Sequence, residues 1–425
     1  MLNALFTFFY NIILWLLPIA ATVFLGWTAW KLWVHYVRTN FIAGIEWVLL
    51  EVVPPREVLK SPKSMELFFT NALYMLSKKG LFEKYWIGAV WFWFSLEIAS
   101  IDGQVHFFIR TPSRVKQLIE TQIYAQYPQA QVRVAEDYTL GVDEITPKSE
   151  WNLWGCEFGL TKPDAYPIRT YASYGMDKDP DEEYKIDPIA PVVELFASIQ
   201  KGEQMWLQIV VTASQKKYKT KGVKGTHDWI KESQLELERI AYPYTKFETR
   251  ADKSPGILKS GRTPDFMGPL LDGVTEKMLK LGFDCGIRAC YIAKKDVFAN
   301  NRRRQKDLRL VFRQYTSPYL NSFNRINSTQ FDYPWQFTTS SMYKLKNRVL
   351  TEYRERSFFY PPLRHKIRIP WPISIFFPKF RHHEIFVLNT EELATIWHFP
   401  GQMLKVPTLE RIESKEAAPP TNLPM

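Results

Sequence analysis

Cysteine is scarce: Cys156, Cys285 and Cys290 are the three in 425 residues. An odd number cannot complete a paired framework, and no two stand in a CxxC spacing, which excludes a disulfide-stapled secreted scaffold and a zinc ribbon. A reducing compartment is expected. Charge is missing altogether from Met1 to Trp30, and no Lys or Arg precedes Lys31. No nucleophile elbow and no dinucleotide fingerprint occurs, so two common enzyme classes lack their signature. Aromatic residues, by contrast, make up 15% of the chain, too many for a disordered protein.

The uncharged stretch LFTFFYNIILWLLPIAATVFLGWTAW exceeds the about 20 apolar residues needed to cross about 30 Å of hydrocarbon. A cleavable signal would begin with basic charge and carry a shorter apolar run, so an uncleaved transmembrane anchor is expected. Lys31 and Arg38 follow the span. The positive-inside rule then puts the N-terminus outside and the chain beyond residue 40 in the cytoplasm, with Trp27, Trp30 and Trp33 in the interfacial belt.

Residues 46–53 read as a buried strand stopped by Pro54-Pro55. A helix follows, with Ser61 as cap, Pro62 in its first turn and its end at Lys78, Lys79 and Gly80. Strands at 90–100 and 104–110 are joined by Asp102-Gly103, a strong hairpin signal. A second helix starts at Thr111-Pro112 with Val115, Leu118, Ile119 and Ile123 on one face, and 131–135 alternates like a strand. This β-α-β-β-α-β order predicts a ferredoxin-like unit. Residues 151–175 suggest one or two hairpins, and Asp187-Pro188 opens a helix ended by Gly202. Strands at 205–213 and 282–294, a short helix at 274–281 and a helix at 299–316 partly repeat the first order, with 214–268 as a lysine-rich insertion holding a helix near 227–240. Residues 384–388 form a late strand, and Asn389 with Glu392 makes a capping box for a helix ending at His398.

The expected fold is thus α+β: one N-terminal transmembrane helix followed by two ferredoxin-like units with insertions. The divisions are 1–40 anchor, 41–145 first ferredoxin-like domain, 146–204 hairpin and helix connector, 205–400 second α+β domain with a basic insertion, and 401–425 Pro-rich tail.

Chemistry-bearing motifs are few. Gly256 to Thr263 imitates a phosphate loop, but Arg262 replaces the Lys and Pro264 follows, so no nucleotide site is assigned. Asp177, Asp179 and Asp181 resemble the start of a calcium loop that Glu182 and Pro188 spoil. Cys285 and Cys290, an odd distance apart in one strand, point to opposite faces and read as core residues. His382, His383 and Glu384 have no metal spacing. No catalytic residue, metal ligand or cofactor is expected.

Basic charge is unevenly placed. Residues 201–380 hold 34 Lys and Arg against 16 Asp and Glu, so +18 sits there and about −7 on the rest. Arg302, Lys306, Arg309 and Arg313 fall at i, i+4, i+7 and i+11 of the helix at 299–316, a cationic stripe. Lys216, Lys217, Lys219, Lys221 and Lys224 add a basic loop able to follow phosphates. Contact with nucleic acid, contact with anionic lipid and plain solvation all remain open for this charge.

Five segments carry a resemblance: WVLLEVVPPREVLKSPKSMELFF, WFSLEIASIDGQVHFFIRTP, YAQYPQAQVRVAEDYT, DPIAPVVELFASIQKGEQMWLQIVV and FVLNTEELATIWHFPG. They resemble the N-terminal region of bacterial type IV secretion coupling-type, HerA-like ATPases. The resemblance implies a membrane-linked module that precedes a hexameric motor moving DNA or protein, and this chain stops about where the motor would begin. It carries over no catalytic residue. The expectation is a non-enzymatic, single-pass accessory protein of the bacterial plasma (inner) membrane, working beside a separately encoded HerA-like hexameric ATPase, which the helix at 391–398 and the tail would contact. Membrane lipid, DNA and a second copy in a homo-oligomer are the other partners considered. The alternative is a membrane-tethered, non-specific DNA-binding protein.

Overall fold

The computed structural model describes residues 2–55, 60–76, 79–177, 186–220, 225–241, 246–247, 258–259, 264, 267–300, 303–330, 335, 338–356, 358–360 and 384–401. The chain divides into two compact units, Met1–Glu46 with Leu76–Phe92, and Trp47–Met75 with Trp93–Met425.

In the first unit one helix, α1 (Leu2–Ala43), runs for 42 residues with Pro18 inside it. It outlasts the uncharged stretch because nothing from Lys31 to Ala43 breaks a helix; Gly44 follows its end. Its stretch Trp15–Ala43 is long and apolar enough to cross a membrane, with a mean hydropathy of 1.2. The same unit holds one π-helical turn, Glu83–Ile87, which ends at Gly88 in the left-handed region, φ 76°.

The second unit is a mixed α+β body. Its elements in chain order are β1 (Trp47–Val53), α2 (Lys63–Phe68) continued by a π turn (Phe69–Leu73), β2 (Phe94–Ile101), β3 (Gln104–Pro112), α3 (Lys116–Gln126), β4 (Gln131–Ala135), β5 (Trp151–Leu160), α4 (Ala190–Ala197), β6 (Glu203–Ala213) and α5 (Trp229–Ala241). A small pair follows, β7 (Lys246–Phe247) with β8 (Leu258–Lys259). Then come α6 (Gly268–Met278), β9 (Gly282–Lys294), α7 (Lys295–Asn300), α8 (Arg303–Arg309), β10 (Phe323–Ser328), α9 (Thr339–Glu355), β11 (Phe386–Asn389) and α10 (Thr390–Ile396).

Nine of these strands form one antiparallel sheet, ordered β10-β5-β9-β6-β2-β3-β1-β4, with β11 also paired to β9. The order reads the same from both ends: β4-β1-β3-β2 and β10-β5-β9-β6 are each fourth-first-third-second in their own half. The halves meet where Phe94–Ile101 of β2 pairs with Gln204–Val211 of β6. Strands from the segments 41–145, 146–204 and 205–400 are therefore neighbours in a single sheet.

Several local expectations need correction. Residues 151–160 are one long strand, not a hairpin, because β5 is sandwiched between β9 and β10 and buried along most of its length. Pro62, not Ser61, precedes α2, and that helix ends in its π turn at Leu73. Leu118 of α3 is exposed while Ile119 and Ile123 are buried. The helix at 299–316 breaks into α7, α8 and a 3-10 turn at Arg313–Tyr315. Val311, Phe312 and Tyr315 enter the core at the break, and burying three apolar side chains outweighs continuing the helix.

Alternation along the strands gives the sheet two different faces. On one, Leu50, Leu96, Ile98, Leu207, Ile209 and Ile287 pack beneath α2, α3, α4, α8 and α10. On the other, Leu49, Ala99, Phe108, Trp206 and Ile292 pack with Val349, Leu350 and Tyr353 of α9. Cys285 belongs to the first and Cys290 to the second, as their odd spacing predicts.

A polar row crosses the α9 face. Arg133, Glu51, Phe108, Glu97, Gln208, Arg288, Glu157 and Asn327 are each the register partner of the next. Buried charge persists only when paired. Arg288 Nε donates to Glu157 Oε1 at 2.8 Å and its Nη1 to the Glu352 carbonyl at 2.8 Å, while Asn327 Nδ2 donates to Glu157 Oε2 at 2.7 Å. Glu97 receives Arg356 Nε at 2.7 Å and the Tyr138 hydroxyl at 2.8 Å. Arg356 ends α9 with φ 49°, and its Nη1 also reaches Asp137 at 2.6 Å. These bonds clamp α9 onto the sheet.

Candidate anion-contacting surface

The basic loop after β6 begins where that strand leaves the sheet at Ala213. Lys216 does not stay free: its Nζ lies 2.5 Å from Asp164 Oδ2 and over the ring of Tyr218, whose hydroxyl also donates to Asp164. A bridge between Tyr218 and His227 holds the loop's two arms together. Beneath it His227 Nε2 lies 2.6 Å from Glu232 Oε2 and the Thr220 hydroxyl donates to the same oxygen. Burial would raise the Glu232 carboxyl, but the Thr220 and His227 contacts outweigh it and hold it below the usual carboxylate range. Lys217 and Lys219 remain exposed. Lys221 and Lys224 lie outside the described residues.

The stripe is only partly assembled. Lys306 and Arg309 share α8, Arg313 sits on the following 3-10 turn, and Arg302 lies outside the described residues. Lys306 and Arg313 are exposed, while Arg309 is half-buried. Arg309 Nη2 donates to Gln330 Oε1 at 2.6 Å, and Arg325 of β10 donates to the same oxygen at 3.0 Å. Burial lowers the Arg309 guanidinium below its usual value, and the neighbouring charge of Arg325 lowers it further. Neither makes an ion pair with a described residue, so two cations share one neutral acceptor. Arg303 is exposed, whereas Arg304 is spent on Ser198, donating to its hydroxyl at 2.8 Å.

Of the cations that sequence spacing singles out, Lys217, Lys219, Lys306 and Arg313 face outward, while Arg309 is half-buried beside Arg325. That spacing misses Arg325, which sits on a strand outside any recognised pattern. What this surface offers chemically is multivalent, geometrically undemanding attraction for an anion, screened by salt.

The other motifs contribute no such cluster. The backbone of Leu258 and Lys259 is strand, and the rest of the Gly256–Thr263 motif, Asp179, Asp181, His382 and His383 lie outside the described residues. Burial pushes the Cys290 thiol up to about 12 and the other two thiols well above their usual value. Among the described residues no group of three or more His, Cys, Asp or Glu side chains is placed to hold a metal ion.

The helix expected to meet a motor protein is placed otherwise. The capping box at Asn389 and Glu392 forms with both of its bonds, but every residue of α10 is buried. Leu393, Ala394 and Ile396 pack into the core, and Lys277 Nζ, 2.9 Å from Glu392 Oε2 with neither side chain exposed, fastens α10 to α6. The tail beyond Gly401 lies outside the described residues.

Compared with protein-family models and with curated proteins, the sequence matches none.

Proposed function

We propose that this protein is a non-enzymatic, membrane-anchored accessory module of a DNA- or protein-translocating ATPase machine of the conjugation or type IV secretion kind. In this reading α1 spans a bacterial plasma membrane with its N-terminus outside, and the sheet body works in the cytoplasm beside a separately encoded HerA-like hexameric ATPase. Each half of the sheet is a ferredoxin-like unit: the fourth-first-third-second strand order in both halves supports this.

The observation that carries the reading is where the resembling segments fall. They cover β1 with α2, the β2–β3 hairpin, the end of α3 with β4, α4 with β6, and β11 with α10, which is most of the central sheet and its helical cover. Because α10 is buried, the partner would meet the body's outer surface instead. The test is purification of the tagged full-length protein from detergent-solubilised native membranes, with mass spectrometry of what accompanies it. A copurifying protein with an intact phosphate loop is the expected result; its consistent absence would sink the reading.

The Arg309–Arg325 pair favours a second reading, a membrane tether that binds DNA through its backbone. Like charges held together on a neutral acceptor gain from a phosphate placed between them. Affinity for duplex DNA would then fall steeply with salt, and Lys217→Gln, Lys219→Gln, Lys306→Gln and Arg313→Gln together would flatten that slope. An unchanged slope would leave these residues as solvated charge.

A further inference from the structure

Residues 81–87, LFEKYWI, expose more apolar surface than their length justifies. Leu81 is 76% exposed, Phe82 66%, Trp86 55% and Ile87 47%. Large contiguous apolar patches on a protein surface mark contact sites. We infer that this turn is a seat in the phospholipid interface, a second membrane contact beside the spanning helix. The inference rests on reading α1 as that helix.

The turn is fixed to α1 at a definite height. Trp33 Nε1 donates to the Tyr85 carbonyl at 3.1 Å, the Trp30 and Tyr85 rings lie 5.6 Å apart, and Trp33 meets Trp86 edge-on at 5.7 Å. Gly88, φ +76°, presses against α1 so closely that a Cβ there would lie 2.3 Å from the Val37 carbonyl oxygen. The turn therefore lies alongside Trp30 to Val37, which cover about 10 Å of helix axis at 1.5 Å per residue. That stretch begins where the uncharged run ends. A bilayer adds about 5–7 Å of headgroup region on each side of its hydrocarbon, so a helix that spans up to Trp30 brings the turn into this zone.

The chemistry suits that zone and no other obvious occupant. Trp27, Trp30, Trp33, Tyr36 and Trp86 are all exposed, and Trp and Tyr concentrate where hydrocarbon meets water. Lys31 stands over the Trp27 ring at 5.5 Å and Lys84 over Tyr85 at 5.4 Å. Both present an ammonium on an apolar stem, the arrangement by which lysines reach phosphate headgroups from a membrane's edge. The turn's acid, though exposed, is held by the turn's own backbone: Glu83 Oε2 accepts from Gly80 N at 2.9 Å. A lipid surface continuous with the one around α1 fits all of these together.

The test uses the full-length protein in phosphatidylcholine vesicles containing phosphatidylglycerol. Single cysteines are introduced by Phe82→Cys, Trp86→Cys, Leu25→Cys or Tyr319→Cys and labelled with an environment-sensitive fluorophore, the three native cysteines being buried. Phe82 and Trp86 labels should shift to the blue and lose most of their emission to a lipid-borne quencher near the headgroups. The Leu25 label should respond most to a deep quencher, and the Tyr319 label to neither. A Leu25 label in hydrocarbon with Phe82 and Trp86 labels in water would overturn the seat and leave the spanning helix standing. A Leu25 label in water would overturn both.

Discussion

In the first half of the sheet β2 turns into β3 through Asp102 and Gly103, whereas in the second half the matching strands β6 and β9 are separated by residues 214–281. The strand order is the same. Lengthening a loop from two residues to this span is roughly five doublings, at about 0.6 kcal/mol each, or about 3 kcal/mol of extra closure entropy. The long ladder from Glu203↔Ala293 to Ala213↔Phe283 offsets it, since every residue of β6 is buried. A local turn code sets the first pairing and interior burial sets the second. The charges differ in the same way. Phe108 of β3 and Arg288 of β9 hold equivalent places in the polar row, so the first half draws its cations from Arg133 on the edge strand β4 and from Arg356 after α9, while the second carries a buried one on an inner strand.

The largest effect should come from removing that internal cation. Arg288→Met removes the buried ion pair with Glu157 and should cost about 3–5 kcal/mol in denaturant unfolding. The double change Arg288→Phe with Glu157→Leu, which gives the second half an apolar residue where the first has Phe108, should recover most of it; no recovery would show that the halves are not equivalent here. Next is the turn. Gly103 adopts φ +90°, where an added Cβ would lie 2.8 Å from the Ile199 carbonyl oxygen, so Gly103→Ala should cost about 1–2 kcal/mol or more. A shortened 214–281 loop, by contrast, should leave the β6–β9 ladder intact by hydrogen exchange.

Acid should reach the first half through Glu51. Burial would raise this carboxyl, but hydrogen bonds from His106 and Arg133 outweigh it and bring it down from the usual 4.5 to about 2. The folded state thus takes up the proton less readily than the unfolded one, so this contribution is complete above pH 4.5 and is lost as pH falls toward about 2. Glu51→Gln should flatten that part of the stability profile. The smallest effect is at Lys346, where burial lowers the ammonium to about 8. Its stability contribution rises as pH climbs from there toward the unfolded value of 10.5. Lys346→Met should stabilise the protein at neutral pH by about 0.5–1 kcal/mol, despite losing the bond to Asn152, and gain nothing at high pH.

Elements were legible where one short segment holds its whole cause. Asp102 and Gly103 take the positive φ of a tight hairpin, 52° and 90°. Asn389 and Glu392 close their capping box, and β9 covers the expected 282–294 with Cys285 and Cys290 on opposite faces. The polar row was not legible, because its eight residues come from eight strands and only register aligns them. Nor was α9, although Thr338 caps it and Leu345, Val349 and Tyr353 repeat at helical spacing. Of the basic residues, spacing located Lys217 and Lys219, but not that Asp164, 52 residues away in the chain, occupies Lys216.

By itself the sequence determined a long apolar N-terminal helix, most strands, their alternation and one hairpin, since each depends on side chains within a turn or two of one another. The tertiary structure decided that both halves share one sheet, that α10 is interior, and which cations remain free. Those outcomes turn on burial: a pairing or a charge removed from water takes its partner from whatever segment the fold brings beside it.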